Sequence, residues 1–561
     1  MNTYDENLKN QIKKTMLDFV SIKTHTGTSM ETNADEFYKK WFNEKKHFRN
    51  HPENWGLYPV KNDHLNRSIP WGLVKGIGNE TIVLIHHYDT VDTLDFGKYE
   101  SYAYDPITFT RKLKEGSIPL PEDAKMDLES GHWLFGRGCA DMKGGASIEL
   151  SLIDKYSNIE NFKGNLLVIG VPDEENLSAG MRSAAYLLEE LKLKFKLNYS
   201  LMINTEPHDR EHEDIGIIHD GSIGKVMPLI YVKGKLSHVS KVYEGFNPTL
   251  LLSEIVKRTE LSPEFIDTVG ESVSPPPTWL YMKDRKKVYD VSLPLSAGGY
   301  MSVLPLKSSP KEILDLLVNI SVEAFDEVIN YMNKQYSVYM NKLNKEYKPL
   351  PWKANVKTFM EIYEEATRDF GNEFINAFNE TSSEIKVNIE EGTLSLVEGA
   401  FLLIEKTLEY VNDTSPVVVI GLAPPYYPCV SNTMLDNNMI STLKEKLMNF
   451  TQMEWGQKYT IENYFTGISD LSYAMFQSDN ETIRYIESNM LLWGDIYHIS
   501  LETIKNISMP VLNIGPWGKD LHKYTERVCL EDLYYKTPML IEEAFNIVLN
   551  KGDDCNRSNK Y

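Results

Sequence analysis

Short apolar runs alternate with stretches of helical period along most of the chain. Five runs rich in branched aliphatic residues stand at 81–87 (TIVLIHH), 165–171 (NLLVIGV), 199–205 (YSLMINT), 416–422 (PVVVIGL) and 509–515 (MPVLNIG). Their continuous apolarity predicts strands buried on both faces, and intervening segments such as GASIELSLIDKYS and AGMRSAAYLLEELK read as helices. Together they predict an α/β protein with a mostly parallel central sheet flanked by helices. Leu8, Ile12, Met16 and Phe19 recur at helical spacing and predict an amphipathic N-terminal helix.

The pattern changes near residue 213. A strand in GKVMPLIYVKGK, a helix in PTLLLSEIVKRTEL, a strand in KKVYDVSLPLS and a long helix from Lys311 predict a smaller inserted domain of ferredoxin-like α/β type. The expected division is a first part of the larger domain at 1–212, the insert at 213–345, and a second part at 346–561. That second part carries two extra helical stretches, NVKTFMEIYEEATRDFG and GTLSLVEGAFLLIEKTLEYV. ESVSPPPTW reads as a stiff surface loop, and NIVLNKGDDCNRSNKY as a polar, frayed tail.

The ends of the apolar runs carry the chemistry. TIVLI leads into His86, His87 and Asp89; NLLVIGVP leads into Asp173, Glu174 and Glu175; YSLMINT leads into Glu206. MPVLNIG is followed seven residues later by His522. The carboxyl ends of strands in an open α/β sheet line the functional crevice. Acids crowded there repel one another unless a cation holds them together. Imidazole and carboxylate donors without a thiolate suit zinc or another borderline divalent ion. The glycine-rich loop FGRGCADMKGGAS delivers Asp141 to the head of a helix, where its two oxygens could each face a different ion. His86 points to the opposite face of its strand from His87 and reads as structural. Asp470 reads equally as a helix cap and as a site residue.

Composition narrows the partners. A length of 561 residues is too great for one core. A net charge of −21 with no basic stripe argues against nucleic acid and anionic membrane surfaces, while leaving a cationic small molecule open. The chain has no 18-residue apolar run and no signal-peptide pattern at its start. Its four cysteines (Cys139, Cys429, Cys529 and Cys555) form no CxxC pair, so a reduced, cytoplasmic protein is expected.

These motifs resemble the di-zinc peptidase family of aminoacylases, glutamate carboxypeptidases and succinyl-diaminopimelate desuccinylases. The matching elements are His87-Tyr88-Asp89, the Gly-Arg-Gly-x-x-Asp-x-Lys-Gly loop from Gly136 to Gly144, and Asp173-Glu174-Glu175 followed by Ser178 and Gly180. Glu206-Pro207, His522 with Glu526 four residues on, GKLSHVSKVYEGFNP around His238, and FTGISDLSYA around Asp470 complete the set in family order. The resemblance implies a zinc-peptidase-like catalytic domain with a lid, and two divalent metal ions, zinc foremost, with cobalt or manganese also compatible. One ion would sit on His87, Asp141 and Glu206, the other on Asp141, Glu175 and His522. Asp89 would orient His87, Glu174 would act as general base, and His238 would reach the oxyanion, from the partner subunit in dimeric members, so a homodimer is compatible. Hinges would fall near 210–215 and 340–350.

Two features depart from that pattern. The stretch GGYMSVLPLKSSP lacks the arginine with which family members grip a free α-carboxylate, Lys307 being its nearest cation. The chain is also long for the family, and its size and proline-rich insert resemble the arginine-utilisation (RocB-like) branch. The implied activity is hydrolysis of a small amide, an N-acyl amino acid or dipeptide, by metal-activated water. A binding or regulatory protein that keeps the two-metal scaffold without turnover is the alternative.

Overall fold

The computed structural model describes residues 5–116, 118–435 and 438–549. It divides into two compact units. The first comprises Met1–Ile223, Val430–Phe476 and Ile499–Tyr561; the second comprises Gly224–Cys429 and Gln477–His498.

The first unit is built on an eight-stranded sheet. Its strands lie in the order Trp55–Pro59, Ser68–Lys75, Lys163–Val171, Ile77–His87, Asn198–Asn204, Val511–Asn513, Ile215–His219 and Lys458–Glu462. The four strands from Lys163–Val171 to Val511–Asn513 run parallel, as do the last two, and the remaining pairings are antiparallel. Four of the expected strands fall in this sheet. Ile82, Val83, Leu84 and Ile85 are all fully buried, which explains an unbroken apolar run where one solvated face would have left alternation. On one face Ile82 and Leu84 share a core with Ile148 and Leu152 of the helix Lys143–Ser157 and with Ile12, Met16 and Phe19 of the helix Glu6–Val20. The latter is the expected N-terminal helix, and Asp5 caps it by accepting from the Leu8 N–H.

The second unit contains a five-stranded sheet ordered Thr278–Asp284, Ser296–Ser302, Pro228–Lys233, Val417–Leu422 and Val356–Thr358. Without the last strand, the chain path is βαββαβ, with helices Pro248–Thr259 and Pro310–Lys342 and a spatial order of fourth, first, third, second strand. This is the ferredoxin-like arrangement expected from sequence. Between its second helix and its fourth strand lie three more helices, Phe359–Phe370, Asn372–Glu390 and Leu396–Glu409. Phe359, Ile362, Phe374, Phe401 and Ile404 from these helices pack on Leu229, Tyr231, Val417 and Val419. Ile230, Val232, Val418 and Ile420 alternate to the other face and are fully buried as well. The two helices of the βαββαβ unit contact these strands without entering the first cluster, so the small sheet is covered on both sides.

Four sequence expectations are corrected. The run 416–422 belongs to the small sheet, because an apolar run reports burial and not which sheet provides it. The insert does not end at 345: residues 346–429 stay in the second unit, and 213–223 belong to the first, where Ile215–His219 is a strand. The chain passes between the units at 223/224, 429/430, 476/477 and 498/499, and not within 210–215 or 340–350, where hinges were expected. The expected strand at 286–296 is an irregular connection as far as Leu295, the strand starting only at Ser296; the Asp290 carboxylate accepts from the Ser292 N–H at 2.8 Å and from Lys286 Nζ, folding the segment on itself. In the expected tail, the helix Thr537–Leu549 continues to Leu549; the rest, with Cys555, lies outside the described residues. Among the described residues no helix is long and apolar enough to cross a membrane.

Phe401 is fully buried against the small sheet. Phe401→Ala is expected to destabilise the protein by about 3–5 kcal/mol, read by denaturant unfolding. A loss below about 1 kcal/mol would mean that the three added helices are peripheral to that core.

Candidate metal centre

Parallel pairing of Ile77–His87 with Asn198–Asn204 places Ile85 opposite Asn204, so the chain leaves both strands at the same edge. His87 and Glu206 emerge there side by side. The buried His87 Nε2 lies 3.4 Å from Glu206 Oε1 and 3.0 Å from Asp141 Oδ1. Its other nitrogen, Nδ1, lies 3.0 Å from the Asp89 carbonyl oxygen and 3.5 Å from Asp89 Oδ1, which fixes the ring. The Asp89 carboxylate also accepts from the N–H groups of Glu174 and Glu175, both at 3.2 Å. One aspartate therefore aligns the first histidine and the acidic loop.

Asp141 sits just before the helix Lys143–Ser157, with its Oδ2 3.1 Å from His522 Nε2. The same nitrogen is 2.9 Å from Glu175 Oε1. His522 is the most open member, its side chain half exposed. Glu526, four residues on, holds the two loops together. Its carboxylate accepts from the N–H groups of Ala140 and Asp141 at 3.1 and 3.2 Å and from Arg137 Nη1 at 2.7 Å. Arg137 in turn donates from Nη2 to the His522 carbonyl at 3.2 Å. Asp173 contributes from behind, accepting from Arg67 Nη1 at 2.7 Å and from the Ala179 N–H at 3.1 Å.

These groups form two overlapping donor sets, His87–Asp141–Glu206 and Asp141–Glu175–His522. In each, one nitrogen or oxygen per residue lies within 4.8 Å of the others. Asp141 is common to both, with one oxygen turned to each histidine. Burial pushes the Glu206 carboxyl well above the usual range, and Asp141, Glu175 and Asp470 push it further. Glu174 is raised in the same sense by burial and by Glu206, Asp470 and Glu175. Burial opposes charging of His87, yet the carboxylates of Glu206, Asp141 and Asp89 raise it well above the ordinary imidazole value. Bonds to Asp141 and Glu175 push His522 up to about 10. This set of imidazole nitrogens and mutually repelling carboxylates, without a thiolate, fits zinc-like divalent ions.

The sequence left Asp470 undecided between a cap and a site residue. Ser469 caps the turn Asp470–Tyr473, its side chain accepting from the Leu471 N–H. Asp470 is itself buried beside Ser178, its carboxyl pushed up to about 7 first by burial. It acts electrostatically on Glu174 and Glu206. His238 belongs to the second unit and is exposed; its Nδ1 accepts from the Ser240 N–H at 3.2 Å. Lys307, nearest to where an arginine was sought, donates to the Thr268 carbonyl at 3.2 Å.

Residues 117–542 match the model of peptidase family M20/M25/M40, a span that holds every residue of the two donor sets except His87. The chain belongs to the peptidase family M20/M25/M40. Among its M20 relatives, YqjN of Bacillus subtilis (strain 168), an uncharacterized protein, is 30% identical over 98% of both chains. Protein RocB of the same organism is 27% identical over 94% of this chain and 92% of its own. The aminopeptidase PepT from Bacillus cereus ATCC 10987 superposes with a TM-score of 0.51 at 12% identity, covering 96% of this chain and 98% of that one. The di-peptidase Dug1p from Saccharomyces cerevisiae gives 0.51 at 11% identity, covering 98% of each. At such identities the structures show the shared fold alone. The chain thus has the M20 metallopeptidase fold and carries candidate metal-binding residues of that family.

Because His522 is held protonated up to about 10 without metal, binding must expel its proton, and affinity should rise with pH toward that value. The raised Glu206 carboxyl adds proton release of the same sign. Calorimetric titration with Zn²⁺ at about pH 7, in buffers of different ionisation heat, is expected to show net proton release. A binding heat independent of buffer would contradict this.

Proposed function

We propose that the chain is a two-metal hydrolase that cleaves a small amide bond, an N-acyl amino acid or a dipeptide. The observation that carries this reading is the Asp141 carboxylate shared between the two donor sets, with Glu174 beside them. His87, Asp141 and Glu206 would hold one ion, and Asp141, Glu175 and His522 the other. Bound divalent ions would supply Lewis-acid polarisation of the scissile carbonyl and acidification of water.

The protein's own groups do the rest. Asp89 keeps the His87 ring oriented and ties down the loop that presents Glu174. Glu174 is the proposed general base: it takes a proton from the attacking water and returns it to the amine nitrogen as the C–N bond breaks. Burial and the neighbouring acids favour its neutral form, and bound cations nearby would restore the carboxylate that a general base requires. His238 is the proposed donor to the developing oxyanion. Its Nδ1 is occupied as an acceptor, which supports the tautomer with Nε2–H free to donate.

The likeness to RocB supports a substrate drawn from arginine or ornithine metabolism, and the net charge of −21 is compatible with a cationic side chain. The names of the aminopeptidase and di-peptidase neighbours fit the same class of amide-bond substrate. A cytoplasmic setting follows from the cysteine usage and remains part of the proposal.

The test is hydrolysis of a panel of N-acyl amino acids and dipeptides, arginine and ornithine derivatives included, by the Zn²⁺- or Co²⁺-loaded protein. Glu174→Gln is expected to bind metal normally and lose activity by about 10²–10⁴-fold. Absence of turnover by the metal-loaded wild type across that panel would favour a binding protein on the same scaffold.

A further inference from the structure

Behind the His87–Asp141–Glu206 set lies a buried polar chain of four side chains that the chemistry above does not use. Glu149 is fully buried on the helix Lys143–Ser157. Its Oε1 accepts from Thr205 Oγ1 at 2.9 Å, and its Oε2 lies 2.7 Å from His86 Nδ1. His86 Nε2 lies 2.6 Å from Tyr38 Oη on the helix Asn33–Glu44. His86 and Thr205 are fully buried and Tyr38 nearly so. Polar groups withdrawn so completely from water are costly unless each is paired, and here each is.

The connectivity is more informative than the burial. His86 immediately precedes His87, Thr205 immediately precedes Glu206, and the helix bearing Glu149 begins two residues after Asp141. A single carboxylate thus links the backbone positions next to two members of one donor set to the element that follows the third. Two glycines make room for it. A Cβ at Gly145 would lie 2.6 Å from Thr205 Oγ1, and one at Gly170, across the sheet from His86, would lie 2.5 Å from Tyr38 Oη. Neither Glu175 nor His522 is joined to the chain by these bonds.

We propose that Glu149 is a positioning residue for one metal site only. It holds His87 and Glu206, the two members found in that set alone, in register with the helix that follows Asp141, and leaves the shared Asp141 loop and His522 to the Glu526–Arg137 bonds. This inference rests on the proposed two-metal reading. It differs from a general contribution to core stability, because it requires the two sites to respond unequally.

The test uses the full chain, stripped of metal and titrated with Zn²⁺ and Co²⁺ against a competing chelator, with Co²⁺ absorption spectra at each step. Wild type should bind two ions. Glu149→Leu, which removes both hydrogen bonds at similar volume, should weaken one binding step by about 10-fold or more and leave the other nearly unchanged. Thr205→Val, which cuts one bond and conserves shape, should weaken the same step less. Glu149→Gln, which can still bond both neighbours, should recover most of the affinity. If Glu149→Leu does not fold, the Thr205→Val comparison stands alone as the test. Two unchanged steps, or two steps weakened equally, would overturn the positioning role; a wild type that binds no metal would instead overturn the two-metal reading.

Discussion

The structure of the centre depends on one electrostatic constraint: carboxylates gathered at a buried sheet edge must share positive charge. Asp141 is where that constraint is concentrated, because both of its oxygens face imidazoles that belong to different donor sets. Burial and mutual repulsion drive Glu206 and Glu174 toward their neutral forms, while the same acids drive His87 and His522 toward their charged forms. Two divalent ions would supply that positive charge and hold every donor in its deprotonated, ligating state.

Holding such a site together requires a frame that does not relax. Five pieces of the chain far apart in sequence meet there, and three buried acids that belong to neither donor set anchor four of them. Asp89 ties His87 to the Glu174–Glu175 loop, Glu526 ties the Asp141 loop to His522 through Arg137, and Asp173 ties the turn before Ala179 to Arg67. The sheet beneath supplies rigidity, since its central strands are covered on both faces and pack densely. The site is most open at His522, which stands on a loop rather than a strand end, while Glu174 and Glu175 are partly buried.

Much of this was legible in the sequence. Strand ends loaded with acids and histidines, in family order, point to His87, Asp141, Glu175, Glu206 and His522, and the structure brings those five together. What escaped did so for physical reasons. The run 416–422 looks like any buried strand, and only its pairing with Pro228–Lys233 assigns it to the small sheet. The ferredoxin-like unit runs past residue 345 because three helices separate its second helix from its last strand, and helical periodicity says nothing about which sheet a helix covers. Asp470 sits at the start of a short turn, where aspartate is ordinary, and its burial beside Ser178 depends on long-range packing. His86 was rightly read as turned away from His87, but its partners Tyr38 and Glu149 lie 48 and 63 residues distant, beyond any local pattern.

The most direct measurement is anomalous diffraction from crystals grown with Zn²⁺, recorded on both sides of the zinc absorption edge. Two peaks are expected, one among His87, Asp141 and Glu206 and the other among Asp141, Glu175 and His522, with the Asp141 carboxylate between them. A single peak, or peaks away from Asp141 with the donor sets empty, would contradict a centre organised around that shared carboxylate.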